Sequence, residues 1–192
     1  MVLTKTPICN FGEKAKNFNL LSTENRKTSL NEIVGKNGTL IMFICNHCPY
    51  VKAVIKDIVQ DVKFLESLGI KSTAIMSNDV KNYPEDSFKK MISFSKLHNF
   101  SFPYVIDDTQ KVAKEYGAVC TPDFFGYNKN LELQYRGRIR ELKDLKIALD
   151  EAKKNNSPLP ITKIVDGYYE EIQKMGGNRW DTSSLIRRFR KK

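Results

Sequence analysis

The sequence lacks any apolar run long enough to direct export or to cross a bilayer. Lys5, Pro7, Asn10, Glu13, Lys14 and Lys16 interrupt the first sixteen residues, whereas a secretory signal needs about 7–15 apolar residues in succession. The longest strongly apolar run, residues 40–45, falls far short of the ~20 residues of a membrane-spanning helix. A cytoplasmic protein without a membrane span is therefore expected. Histidine is scarce, at positions 47 and 98 only, and a single tryptophan serves 192 residues. Four cysteines in a chain of this length do not build a disulfide framework. Only Cys45 and Cys48 stand close together, while Cys9 and Cys120 are isolated. Structural zinc usually needs a second close pair of ligands, so the sequence argues against such a site. Internal repeats and low-complexity stretches are absent as well.

What remains is the composition of one globular domain. Hydrophobic residues make up 41% of the chain, and a chain this long buries roughly 70% of its unfolded surface. The net charge of +10 comes from 32 basic and 22 acidic residues. Arg187, Arg188, Arg190, Lys191 and Lys192 fill five of the last six positions. Without an aromatic stacking platform beside it, this cluster reads as a solvated tail and not as a nucleic-acid site.

Periodicity orders the elements. Residues 18–21 and 27–30 flank a polar turn and read as a hairpin. Residues 39–44 are almost continuously apolar, as in a central strand covered on both faces. Val51, Val54, Ile55, Ile58, Val59, Val62, Leu65 and Leu68 recur at helical spacing, and Gly69 supplies the stop. A strand over 70–77, a helix from Pro84 to about residue 97, a strand over 102–106 and a helix over 108–116 follow. Residues 124–127 and 131–135 form a second hairpin, and helices are expected over 141–154 and 164–174. The order calls for an α/β fold, a mixed sheet with helices on both faces. We assign residues 1–155 to the domain and 156–192 to a basic C-terminal extension.

Chemistry concentrates in Cys45-Asn46-His47-Cys48. A thiol where a strand ends and a helix begins meets unpaired amides and the positive end of the helix dipole. Both stabilise the thiolate and pull its pKa from about 8.5 towards or below 7. Cys45 is expected near the N-cap, exposed and nucleophilic, with Cys48 one turn in and beneath it. His47 adds a dipole or positive charge beside the pair, and Pro49 shapes the first turn. A second constellation, Cys120-Thr121-Pro122, lies just before an apolar strand. A cis bond before Pro122 would leave the backbone of Thr121 free to pair with an extended substrate. Cys120 is expected to be mostly buried, close to the pair without being bonded to it.

Taken together these features resemble the thioredoxin superfamily, in a redoxin-like branch related to the alkyl hydroperoxide reductase and thiol antioxidant proteins. The likeness covers roughly residues 6–138. It is carried by Thr6-Pro7-Ile8-Cys9-Asn10-Phe11-Gly12, by Phe43-Ile44-Cys45-Asn46-His47-Cys48-Pro49-Tyr50, by Tyr83-Pro84-Glu85-Asp86-Ser87-Phe88 and by Val119-Cys120-Thr121-Pro122-Asp123-Phe124. The resemblance implies a thioredoxin-like fold in which Cys45 attacks, Cys48 resolves and Pro122 is cis. It also implies protein thiols or disulfides as partners, an unidentified reductant and no cofactor. Asn46-His47 departs from the Gly-Pro of thioredoxin. Peroxiredoxins place their cysteine in P-x-x-x-T-x-x-C, and neither Cys45 nor Cys48 fits that register. Relatives often carry a cysteine where Gly177 stands, so a third-thiol relay there is missing. The reading is thiol–disulfide oxidoreductase. The alternatives are a thiol peroxidase and a copper-type metal carrier using Cys45, Cys48 and His47.

Overall fold

The continuous apolarity of strand β3 (Gly38–Phe43) has a simple cause: both its faces are covered, and all six residues are buried. Leu40 and Met42, followed by Ile44, point into one cluster, and Ile41 and Phe43 into another on the opposite face. Strand period two sorts them. The first cluster receives the apolar stripe of helix α1 (Pro49–Ser67), from Val51 and Ile55 to Val59 and Val62. Each such side chain contributes roughly 1.5–3 kcal/mol when buried. The second cluster takes Leu30, Ile33, Phe125 and two residues of α3 (Lys111–Tyr116). The structure, a computed structural model, describes residues 9–138. The helices expected over 141–154 and 164–174 and the extension 156–192 lie outside the described residues.

Seven strands form one mixed sheet in the order β2-β1-β5-β4-β3-β6-β7. β3, β4 (Ile70–Met76) and β5 (Tyr104–Ile106) run parallel. β6 (Asp123–Asn128) and β7 (Leu133–Arg138) close one edge as an antiparallel hairpin. The expected N-terminal hairpin forms as β1 (Asn19–Ser22) and β2 (Lys27–Ser29), and β1 docks antiparallel on β5. This is the expected thioredoxin-like α/β sheet. α1 and α2 (Phe88–Leu97) cover one face, and α3 with the 3-10 turn Leu30–Ile33 covers the other. α1 stops where Gly69 takes φ +75°, a left-handed position suited to glycine. Among the described residues no helix is long and apolar enough to cross a membrane.

Two helix starts differ from the sequence reading. The segment from Pro84 is a 3-10 turn, Pro84–Asp86, and extended backbone at Ser87 separates it from α2. The break frees the Asp86 side chain to bond elsewhere, as described below. α3 begins at Lys111 and not at Asp108, because the buried Asp107 carboxylate holds the preceding loop through Thr109 and the Ala113 amide.

Candidate functional site

The ends of β3 and β6 and the start of α1 place the site. Ile44 is still tied to β4 through its amide and the Ile75 carbonyl, and the chain then turns through residues 45–48 into the helix. The N-cap is Cys48, and Pro49 is the exposed first helical residue. Proline costs nothing there because its missing N–H would have had no helical partner. This corrects the sequence reading, which put Cys45 at the N-cap and Cys48 a turn further in. Cys45 lies three residues ahead of the cap, and it is not exposed: Cys45 is 0% and Cys48 7% accessible.

The two thiols share a proton. Cys48 is drawn down to about 5, chiefly by the hydrogen bond from Cys45 and then by the first-turn amides of Val51 and Tyr50, with burial opposing. Cys45 is pushed up because it holds that proton, because it is buried and because the negative Asp86 stands nearby. Helix-end stabilisation therefore falls on Cys48, the residue the helix amides reach, where the sequence reading had it on Cys45.

The second constellation meets this pair as expected. The Thr121–Pro122 peptide is cis and Pro122 is buried. Thr121 touches both sulfurs: its hydroxyl lies 3.1 Å from Cys45 Sγ, and its carbonyl oxygen lies 3.3 Å from Cys48 Sγ, placed to accept whenever that sulfur carries the proton. That carbonyl, expected to be open to substrate, lies against Cys48. Cys120 is half-buried where it was expected to be mostly buried, and none of the four cysteines forms a disulfide. Val119, on the same loop, is 56% exposed.

Asp86 is the residue that sequence reasoning missed. It is fully buried, and its Oδ1 accepts the backbone amides of Asn46 at 2.7 Å and His47 at 3.1 Å. Its Oδ2 lies 2.6 Å from His47 Nδ1 and accepts from Asn78 Nδ2 at 2.9 Å. Tyr83 stacks on the His47 ring, with centroids 4.4 Å apart and planes 8° from parallel. Asn46 is buried too, donating to the Glu85 carbonyl and accepting from the Tyr104 hydroxyl. The two residues between the cysteines are therefore structural anchors as well as neighbours of the thiols. His47 Nδ1 faces the Asp86 carboxylate. A sulfur of Cys45, a ring nitrogen of His47 and a carboxylate oxygen of Asp86 all lie within 4.8 Å of one another. The only hint in the sequence was the Tyr83–Phe88 segment, similar to the redoxin-like branch but without an assigned role.

Known proteins fit this picture. The sequence pattern of the AhpC/TSA family matches residues 11–142. An uncharacterized conserved protein from Geobacillus kaustophilus has a similar crystal structure (TM-score 0.68, 38% identity, 70% of this chain and 72% of that one). The thioredoxin domain of a thiol-disulfide oxidoreductase from Bacteroides vulgatus shares the fold (TM-score 0.57, 14% identity, 75% of this chain and 98% of that one). An uncharacterized oxidoreductase from Shewanella frigidimarina (strain NCIMB 400) is 61% identical over 49 residues, 26% of this chain and 17% of that protein's length. The match thus spans about a sixth of that curated relative.

Proposed function

The chain belongs to the AhpC/TSA family, and from that premise we propose that it is a thiol–disulfide oxidoreductase exchanging dithiol for disulfide with protein partners. The observation that carries this reading is the contact of both sulfurs with one residue, Thr121, held by the cis bond to Pro122. That contact supplies a proton route. In the resting pair Cys45 keeps its proton and donates it to the Cys48 thiolate. When the proton crosses to Cys48, that thiol donates to the Thr121 carbonyl, and the Thr121 hydroxyl donates to the new Cys45 thiolate. Cys45 then attacks one sulfur of a partner disulfide, and the partner's other sulfur leaves and is protonated. Cys48 gives up its proton, attacks Cys45 and releases the second partner thiol. The partner gains two electrons, the pair becomes a disulfide, and an external reductant resets it. The reverse sequence oxidises a partner dithiol.

The proposed setting is cytoplasmic, where a reducing pool holds the pair ready for the next cycle. Exchange is favoured over peroxide reduction because neither cysteine has the threonine three residues ahead that the peroxidatic register requires. Trapping tests the reading: Cys48→Ser should accumulate mixed disulfides on Cys45, and Cys45→Ser should not. Rapid peroxide consumption by a protein that reduces no protein disulfide would reverse the choice.

A further inference from the structure

The redox reading uses the two sulfurs and Thr121. It leaves unexplained why an imidazole and a fully buried carboxylate converge on the same thiol. We propose that the reduced protein has a Zn²⁺ site whose ligands are Cys45, His47 and Asp86. The donor set is one thiolate, one imidazole and one carboxylate, the three ligand types that zinc takes from proteins. Their ligand atoms already lie within 4.8 Å of one another. Around a tetrahedral ion with bonds of about 2.0–2.3 Å, donor atoms stand on the order of 3.5 Å apart. Closing the cluster onto an ion thus takes shifts of about an ångström, and the ion replaces the contact between His47 Nδ1 and Asp86 Oδ2.

The supports of such a site are in place before any ion arrives. Asn78 and the amides of Asn46 and His47 orient the carboxylate, and Tyr83 holds the imidazole plane. Outer partners of this kind fix ligand geometry in metal sites. Cys48, hydrogen-bonded to Cys45, is the nearest candidate for the fourth position. Binding expels the Cys45 thiol proton to solvent, with no change of oxidation state. The consequence is regulatory. A zinc-held Cys45 can neither attack nor be oxidised, so the ion stores the pair in its reduced form, and oxidation of the pair removes a ligand and excludes the ion. The site shares Cys45 with the exchange reaction, so the regulatory consequence rests on that reading, whereas zinc binding itself needs only the three ligands.

The test is a titration of the reduced full-length chain with zinc sulfate against a chromophoric chelator, with stoichiometry read by native mass spectrometry. One zinc per chain is expected. Affinity should fall at least about tenfold in His47→Gln and in Asp86→Asn, and binding should be abolished in Cys45→Ser and in the disulfide form. Asp86 also holds two backbone amides, so its variant can misfold. His47→Gln alters a partly exposed ring, and with Co²⁺ in place of zinc it should weaken the tetrahedral ligand-field bands while the thiolate-to-metal charge-transfer band persists. Zinc bound no better by the wild type than by Cys45→Ser would overturn the site. So would an affinity unchanged in both the His47 and Asp86 variants, which would leave the ion on the sulfurs alone. Trapping of partner disulfides by Cys48→Ser reports separately on exchange.

Discussion

One proton shared between two buried sulfurs sets the chemistry of single residues here. Because Cys48 is drawn down to about 5, the pair carries one thiolate throughout the neutral range, whereas an ordinary cysteine loses its proton near 8.5. Iodoacetamide kinetics on the reduced protein should therefore show an apparent pKa of about 5 for the pair, with a plateau through pH 7. A single transition near 8.5 would remove the shared proton from the mechanism. In the proposed exchange, Thr121 favours the negative charge on Cys45 at the moment of attack. Thr121→Val keeps the shape and the carbonyl but deletes the hydroxyl that lies 3.1 Å from Cys45 Sγ and would donate to its thiolate. A hydrogen bond to a charged group contributes about 1.5–3 kcal/mol, so exchange should slow by about tenfold or more. The pair's apparent pKa should rise only slightly, because the Cys45 hydrogen bond and the helix amides remain and the Thr121 side chain is a smaller cause of its lowering. Stopped-flow reduction of a model disulfide measures the rate, and a wild-type rate in the variant would take Thr121 out of the reaction.

The elements themselves were mostly legible in the sequence, because strand and helix each bury a pattern. Helix α1 could be read from its three- and four-residue apolar steps, and β3 from apolarity on both faces. Ile55 of α1 is fully buried between the sheet and its own helix. Ile55→Ala should lower stability by about 2–5 kcal/mol, measured as a drop in the urea midpoint, and a loss well under 1 kcal/mol would show that the cluster relaxes around the gap. Gly38 at the start of β3 is a second check of the packing. A Cβ there would meet the Tyr127 carbonyl oxygen at 2.6 Å, backbone against backbone, so Gly38→Ala should destabilise the β3–β6 pairing. The element starts that went astray, at Pro84 and Asp108, both sit beside buried aspartates. An aspartate near a helix start reads in sequence as a favourable first-turn charge, and only the fold reveals that Asp86 and Asp107 bond across loops.

At the scale of the whole molecule, local pattern ends and topology takes over. The sulfur pair was visible because its members are three residues apart, and Thr121-Pro122 because a proline preceding a strand is a local signal. Asp86 lies 39 residues from His47, and parallel crossover from β3 through α1 to β4 brings it back to the site, a convergence with no local mark. The same long-range assembly links the thiol pair to global stability, with a definite sign. Cys48 has a folded pKa of about 5, below its unfolded value of about 8.5. Its contribution is fully present above the unfolded pKa and is lost as pH falls through about 5. Cys45 is raised when folded, so its contribution is present below about 8.5 and is lost at higher pH. Together they predict that the reduced protein gains stability from pH 5 to about 8.5 and loses it again beyond that. His98, lowered by burial and by Lys56, adds a rise of the same sign near its ordinary range, so the wild-type curve alone does not isolate the thiols. The difference between wild type and Cys48→Ala does, since both keep His98. Urea midpoints of the two reduced proteins across pH 5–9 should diverge with rising pH up to about 8.5 and then run parallel. Midpoints that stay a constant distance apart from pH 5 to 8 would mean that folding does not favour the Cys48 thiolate.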